Sequence, residues 1–166
     1  FTIFEVLYYT GMRVGEALAL TLNDIDFTGC TISVTKTYYR ITGKDLINPP
    51  KTAGSERTIA IPEFLAEELK EYISHLYEPD PNERIFNRRP QYVRSILQDC
   101  AEKAGVKQIR IHDLRHSHAS MLINLGANPL LVAERLGHES PTITLKTYSH
   151  LFPSTQSEIV DKIKKL

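Results

Sequence analysis

The spacing of apolar residues predicts a mostly helical chain with a short β-rich stretch in its first half. Residues 31–37 (TISVTKT) alternate in polarity and are rich in β-branched side chains, which is typical of a strand. Residues 57–61 (RTIAI) are a second predicted strand, and residues 24–27 a short third one. Residues 41–56 contain two glycines and two prolines, so we expect a loop there.

Helical spacing of apolar residues dominates the rest of the chain. The first residues already follow this spacing, and Thr10-Gly11 is a plausible start for a second helix. Three further helices are predicted over about 62–76, 91–104 and 112–125. Two more are predicted from the capping pairs Asn128-Pro129, with an end at Gly137, and Ser140-Pro141. A last helix is predicted at the C-terminus, with Ile159, Ile163 and Leu166 on one side. The predicted fold class is α+β, mostly helical with a small three-stranded antiparallel sheet.

Composition and charge narrow the class of protein. The chain has 166 residues, which suits one domain, and 42% of them are hydrophobic, as in globular proteins. Twenty basic and twenty acidic residues cancel, which argues against binding nucleic acid by bulk charge. The charges are nevertheless uneven, because acids concentrate in 63–83 and bases in 36–57 and 84–115. They form either two solvated faces or one anion-binding face with an acidic back.

The sequence contains no apolar run of membrane-spanning length and no signal peptide. Cys30 and Cys100 are far apart and outside any C-x-x-C pattern, so we expect neither a disulfide scaffold nor a zinc site. A reducing cytoplasm is the expected location. Because the first residue is a phenylalanine inside a helical pattern, we interpret the chain as part of a longer protein.

Residues 112–125 carry the strongest local signal for chemistry. On a helix, an apolar side that includes His118 would face the core, and His112, Arg115 and His116 would share the remaining surface. His118 is best explained as a core histidine. The pairing of His112 with Arg115 suits a phosphate better than a core, because a guanidinium forms strong hydrogen bonds to anions.

Four shorter motifs add candidates, each with an ordinary structural explanation. Arg13 and Glu16, in TGMRVGEALAL, could form a plain helical ion pair or an anion site near a helix start. Lys51, in PPKT, could be an ordinary surface lysine. Tyr148, in TLKTYSHL, could be a half-buried side chain that only packs against its neighbours. His138 directly follows the glycine of LGH. Together these residue types suit phosphoryl transfer without a metal ion.

These five motifs, in this order across nearly the whole chain, resemble those of the tyrosine recombinases of the phage integrase family. Within the family the chain is most similar to integrases of temperate phages and conjugative transposons of Gram-positive bacteria. The resemblance implies the catalytic-domain fold of these enzymes. It also implies a site-specific recombinase that cleaves and rejoins DNA strands, without metal, ATP or another cofactor, to integrate or excise a mobile element.

The resemblance assigns the covalent step to three residues. Tyr148 would attack the scissile phosphate, forming a 3′-phosphotyrosyl link and releasing a 5′-hydroxyl. His112 would assist proton transfer at Tyr148, since a free phenol, with a pKa of about 10, is a poor nucleophile at neutral pH. Lys51 would protonate the departing 5′-oxygen.

The resemblance assigns the remaining residues to binding and support. Arg13 and Arg115 would grip the non-bridging phosphate oxygens, and His138 would add a hydrogen bond to the same phosphate. Glu16 would orient Arg13, and His116 would support the site without a catalytic role.

The resemblance also implies partners. Residues 1–166 would be the catalytic domain of a longer protein whose N-terminal DNA-binding domains lie outside this chain. Its partners would be double-stranded DNA attachment sites and three further copies, in a homotetramer joined through the C-terminal helix, while the isolated domain stays monomeric. That helix could instead fold back on its own domain. Location would be the bacterial nucleoid, with no membrane.

Three other classes of protein remain as alternatives. A metal-dependent hydrolase could use His112 and His116, which have ligand spacing on a helix. A catalytically inactive relative could keep the fold and bind DNA. A type IB topoisomerase would use similar chemistry without pairing two sites.

Overall fold

The computed structural model describes residues 1–49, 55–152 and 163–164, which form a helical domain with two small β-structures. The helices of this described part are α1 (Thr2–Thr10), α2 (Val14–Ala17), α3 (Glu63–Ser74), α4 (Pro90–Lys103), α5 (Asp113–Asn124), α6 (Pro129–Leu136) and α7 (Pro141–Tyr148), with 3₁₀ turns at Leu22–Asp24 and Ser149–Leu151. Its strands are β1 (Ile25–Asp26), β2 (Thr31–Val34), β3 (Thr37–Ile41), β4 (Lys44–Asn48) and β5 (Arg57–Ala60).

The predicted three-stranded antiparallel sheet is confirmed, in the order β1-β2-β5. Ile32 lies opposite both Ile25 and Ile59, and all three side chains are buried. The sheet therefore follows the period of two that the sequence shows, with one face toward the core.

The prediction of a loop over 41–56 is wrong for its first half. β3 and β4 form a second antiparallel hairpin, in which Tyr38 pairs with Ile47 and Ile41 with Lys44. The intervening Thr42 and Gly43 both have positive φ, which suits the two-residue turns of tight hairpins. Every residue of β4 is exposed, so no buried face gives this strand a regular apolar pattern. The predicted strand over residues 31–37 ends at Val34, because Thr37 already belongs to β3 of this second hairpin.

The long helices lie within a few residues of their predicted bounds, but two local predictions are wrong. Thr10-Gly11 ends α1, with Gly11 in the left-handed conformation, and α2 begins only after Arg13. The buried side of α5 is centred on Arg115, His118 and Ala119, whereas Leu125 is 76% exposed. The apolar pattern misplaced this face because two of its central residues are polar.

Two groups of buried apolar side chains hold the elements together. The larger joins α1, α2 and α3 to the three-stranded sheet, and the smaller joins α5, α6 and the end of α7. Of the predicted apolar stripe on the last helix, only Ile163 is among the described residues. Within the described ranges, no helix has the length and apolar character needed to cross a bilayer.

Candidate active site

An open pocket of about 620 Å³ lies where α2, α5 and the end of α6 meet β3. Its lining residues are Arg13, Glu16, Thr37, Ser55, His112, Arg115, Gly137, His138, Glu139 and Ile143. The pocket therefore brings together five of the eight side chains that the sequence predicts for the site.

Arg115 is the most constrained cation in the pocket. Its side chain is 4% exposed, and its Nη1 donates a 2.8 Å hydrogen bond to the carbonyl oxygen of Gly11. Its Nη2 is buried and has no hydrogen-bond partner among the described residues. Burial and the nearby charge of Arg13 lower the pKa of Arg115 to about 10, so it stays charged at neutral pH. A buried donor without a partner costs about 1–3 kcal/mol, which an anion in the pocket could offset.

Arg13 is the more exposed of the two predicted phosphate ligands. It immediately precedes α2, and its Nη1 contacts Glu16 Oε1 at 2.8 Å. The other carboxylate oxygen of Glu16 accepts the backbone N–H of Arg13 at 2.9 Å. Glu16 thus fixes both the start of the helix and one edge of the guanidinium, while 43% of the Arg13 side chain remains exposed.

Sequence reasoning missed Arg57, the first residue of β5. Its Nη2 lies 2.9 Å from Glu16 Oε2, and the side chains are only 5% and 4% exposed. Burial alone would raise the pKa of Glu16, but the hydrogen bond and charge of Arg57, with help from Arg13, lower it. No pattern in the sequence separates this arginine from the other bases of residues 36–57.

His138 directly follows Gly137, which ends α6 in the left-handed conformation. Its Nδ1 lies 2.8 Å from the hydroxyl oxygen of Thr144. Burial, followed by the charges of Arg115 and Arg13, lowers the pKa of His138 to about 4, so the ring is neutral at neutral pH. When Thr144 donates to Nδ1, the proton of the ring sits on Nε2, which can then donate to a ligand.

Tyr148, the last residue of α7, joins the site through His116. Its hydroxyl lies 2.6 Å from His116 Nδ1, and its ring packs among apolar side chains of α5 and α6. The residue is 5% exposed, and burial raises the pKa of its hydroxyl against the opposing effect of Arg115. The rings of His116 and His112 meet edge to face, with centroids 4.9 Å apart.

His112 itself precedes the first residue of α5 and lines the pocket. Desolvation of its ring and the neighbouring His116, Arg115 and Arg13 lower its pKa. His112 is therefore a neutral group that lines the pocket and also contacts His116, the histidine that contacts Tyr148.

The remaining predictions have different outcomes. Lys51 lies outside the described residues, although Ser55, further along the same connection, lines the pocket. The interpretation of His118 as a core histidine is confirmed, since it is fully buried and its Nε2 accepts a 3.1 Å hydrogen bond from Arg135. In the part of the chain that the structure describes, no three His, Cys, Asp or Glu side chains are grouped so that they could hold a metal ion.

Comparison with known proteins places this geometry in context. Residues 2–155 match the model of the phage integrase family. The chain is 32% identical to the ICEBs1 integrase of Bacillus subtilis, covering 99% of this chain and 48% of the relative. It is also 32% identical to the integrase of Staphylococcus phage L54a, covering 98% and 51%. The chain thus spans about half the length of these relatives, and their bacterial and phage sources agree with the expected subfamily.

The fold is that of a solved integrase. The structure of the Tn1549 transposon integrase in complex with a circular intermediate DNA superimposes with a TM-score of 0.83, at 22% sequence identity, covering 99% of this chain and 57% of that one. The predicted integrase catalytic-domain fold is therefore confirmed.

Proposed function

Because this chain belongs to the phage integrase family, we propose that it is the catalytic domain of a tyrosine site-specific recombinase. Its reaction would break and rejoin DNA strands through a covalent 3′-phosphotyrosyl intermediate. One observation carries the proposal: Arg115, which lines the pocket, has a buried Nη2 with no partner among the described residues, and the next residue, His116, is hydrogen-bonded to the hydroxyl of Tyr148.

The two arginines would bind the scissile phosphate. Arg115 supplies a donor that is already desolvated and held by the carbonyl of Gly11. Arg13 supplies a second guanidinium whose inner edge is fixed by Glu16. Such preorganised cations stabilise the extra negative charge of a pentacovalent phosphate without rearranging during the reaction. His138 would add a neutral hydrogen bond from Nε2 to the same group.

Tyr148 would act as the nucleophile. Its oxygen forms a bond to phosphorus, and the bond from phosphorus to the 5′-oxygen breaks. The phenolic proton passes to His116 Nδ1, which is the nitrogen that the hydroxyl already contacts. His112 would then influence this transfer through His116, one step further from Tyr148 than the sequence led us to expect. Lys51 would donate a proton to the departing 5′-oxygen.

Rejoining would reverse these steps with the 5′-hydroxyl of a partner strand. That oxygen attacks phosphorus, the bond to Tyr148 breaks, and the phenol recovers its proton. The energy of the phosphodiester is conserved in the tyrosyl ester, so the reaction would need no ATP. The arginines and the proton-transfer groups would do the work of a metal ion or other cofactor. No observation on the described residues favours the metal-dependent hydrolase or the inactive DNA-binding relative.

The intact protein would act on double-stranded DNA attachment sites in the bacterial cytoplasm, at the nucleoid. Its N-terminal domains would supply most of the DNA affinity, since residues 1–166 carry no net charge. Four copies would assemble on DNA through their C-terminal helices, and the isolated domain would be a monomer. The mobile element would be integrated or excised by two such strand exchanges.

Covalent trapping on a nicked DNA substrate tests the proposal. We expect the full-length protein to form a DNA adduct in EDTA that survives denaturing electrophoresis. Tyr148→Phe should form none, because the attacking oxygen is missing. Tyr77→Phe is the matched control, since Tyr77 is 90% exposed and should leave the adduct unchanged. An adduct with Tyr148→Phe would refute the nucleophile, and a need for added divalent metal would support the hydrolase instead.

A further inference from the structure

We propose that Arg57 is a positioning residue that aligns the phosphate-binding groups of the active site, an inference that rests on the proposed recombinase function. Its side chain is 5% exposed and does not line the pocket, but it contacts Glu16 and Ser55, which do. Each of its three guanidinium nitrogens donates a hydrogen bond to a different part of the protein. Arg57 therefore acts on DNA only through the residues that it holds.

The first contact fixes Arg13. Arg57 Nη2 donates to Glu16 Oε2 at 2.9 Å, and that same oxygen accepts the backbone N–H of Arg13. Glu16 Oε1 in turn contacts the Arg13 guanidinium. The carboxylate is buried and would move or take up a proton if its buried counter-charge were removed, because a lone buried charge is strongly unfavourable. Arg57 thus determines where Glu16 holds Arg13.

The second contact fixes the end of α6, which leads into His138. Arg57 Nε donates to the carbonyl oxygen of Arg135 at 2.9 Å. The guanidinium also packs against Gly137 so closely that a Cβ at that position would lie 2.9 Å from Arg57 Nη1. The position of His138 relative to Arg13 is therefore set through one planar group.

The third contact fixes the edge of the pocket. Arg57 Nη1 donates to the carbonyl oxygen of Ser55 at 3.0 Å, and Ser55 lines the pocket together with Arg13 and His138. The three acceptors, on Glu16, Ser55 and Arg135, belong to different segments of the chain and surround the planar guanidinium of Arg57. A lysine at position 57 would keep the charge but could not reach all three, because its donors radiate from a single nitrogen.

The test compares Arg57→Lys with the unmodified full-length protein in single-turnover cleavage at saturating DNA. We expect the rate of covalent adduct formation to fall about 10²-fold, as small displacements of catalytic groups do, while DNA affinity stays unchanged. Lys36→Met is the matched control, because Lys36 pairs with the largely buried Asp24 at 2.7 Å and has no contact with Glu16. It should lower stability without lowering the cleavage rate.

A double-mutant cycle with Arg13→Ala separates positioning from a general effect on folding. If Arg57 acts through Arg13, the combined loss should be clearly smaller than the product of the two single losses. A merely structural role predicts independent losses that multiply. Multiplying losses, or an unchanged rate in Arg57→Lys, would overturn the inference.

A measurement without DNA tests the positioning role of Arg57 separately from the proposed recombinase function. Carboxyl titration by NMR should give a Glu16 pKa below its ordinary range, and Arg57→Lys should raise it. An unchanged Glu16 pKa in Arg57→Lys would overturn the positioning role even if that variant cleaved DNA slowly. Absence of any adduct with the unmodified protein would contradict the recombinase function alone, and the Glu16 titration would still decide the role of Arg57.

Discussion

Two crevices of similar size, both rich in arginine, lie on either side of β3. One is the candidate active site, which Thr37 lines, and the other, which we call the arginine crevice, lies between the β3–β4 hairpin and the start of α4. The arginine crevice has a volume of about 590 Å³ and is lined by Tyr38, Arg40, Asp45, Arg84, Asn87, Arg88, Arg89 and Tyr92. By charge alone, the second crevice is the better anion site.

The arginines differ in how they are held. In the active site, Arg115 is buried and fixed, yet keeps a nitrogen without a partner. In the arginine crevice, Arg84 donates hydrogen bonds to backbone carbonyls and to Asn87, and its guanidinium stacks on Tyr38. Arg40 forms an ion pair with Asp45. Arg88 and Arg89 are exposed to solvent. Under the proposed function, a buried cation with an open donor would identify the catalytic pocket better than the number of positive charges does.

Arg115→Lys should produce the largest difference between the two crevices. The substitution keeps the charge but loses the fork that binds the carbonyl of Gly11 and would, under the proposed function, also bind the phosphate. We expect cleavage at saturating DNA to slow by about 10²–10³-fold, the usual cost of removing one preorganised donor. Single-turnover adduct formation measures this rate.

Arg84→Lys is the control for Arg115→Lys, since Arg84 is also an arginine bound to a backbone carbonyl, but in the other crevice. Its cleavage rate at saturating DNA should stay near that of the unmodified protein. Equal losses in the two variants would show that burial with an open donor does not distinguish the catalytic arginine.

Acid should destabilise the domain through His118, which is fully buried on α5, the helix that also carries Arg115, whereas the described residues that line the arginine crevice include no histidine. Burial and the charge of Arg135 lower the pKa of His118 from 6.5 to about 4. Between these values the unfolded chain binds more protons than the folded one, so stability falls as the pH falls. The contribution of His118 is up to about 1.4 kcal/mol per pH unit. Urea denaturation at several pH values should show a flatter dependence for His118→Gln than for His75→Gln, and equal slopes would contradict this origin.

The sequence predicts most of the fold because the long helices carry clear apolar spacing and turn residues at their ends. It fails where tertiary contacts override that spacing. The strand β4 is exposed along its length and so lacks a buried face. On α5, Arg115 and His118 occupy the buried side because each has a hydrogen-bond partner there, which a hydrophobicity pattern does not reveal.

The same reasoning explains which parts of the candidate site are predictable. Arg13 and Glu16, and His112 and Arg115 of the HDLRH motif, belong to recognisable motifs, and the pocket brings these four side chains together. Arg57 belongs to none of them, and its partners are distant in sequence: Glu16 is 41 residues away and Arg135 is 78. A residue whose role consists of joining separate motifs leaves no local pattern.

Replacing Arg88 and Arg89 together by alanine should produce the smallest effect, and it should change the affinity for DNA and not the cleavage rate. Both side chains are exposed beside the start of α4, so we expect them to contact the DNA backbone rather than the scissile phosphate. Each lost phosphate contact should reduce the slope of log affinity against log salt by about 0.9. Fluorescence anisotropy with the full-length protein at several salt concentrations measures this slope.

The rate of adduct formation at saturating DNA should not change in the same double variant, because the active-site arginines keep all their contacts. Lys70→Ala is the control for lost charge, since Lys70 lies on the acidic helix α3 and contacts the ring of Phe27. It should leave both the salt slope and the rate unchanged. A slower saturated rate in the Arg88 and Arg89 variant would mean that the two crevices bind DNA as one site, and that the separation by burial drawn above does not hold.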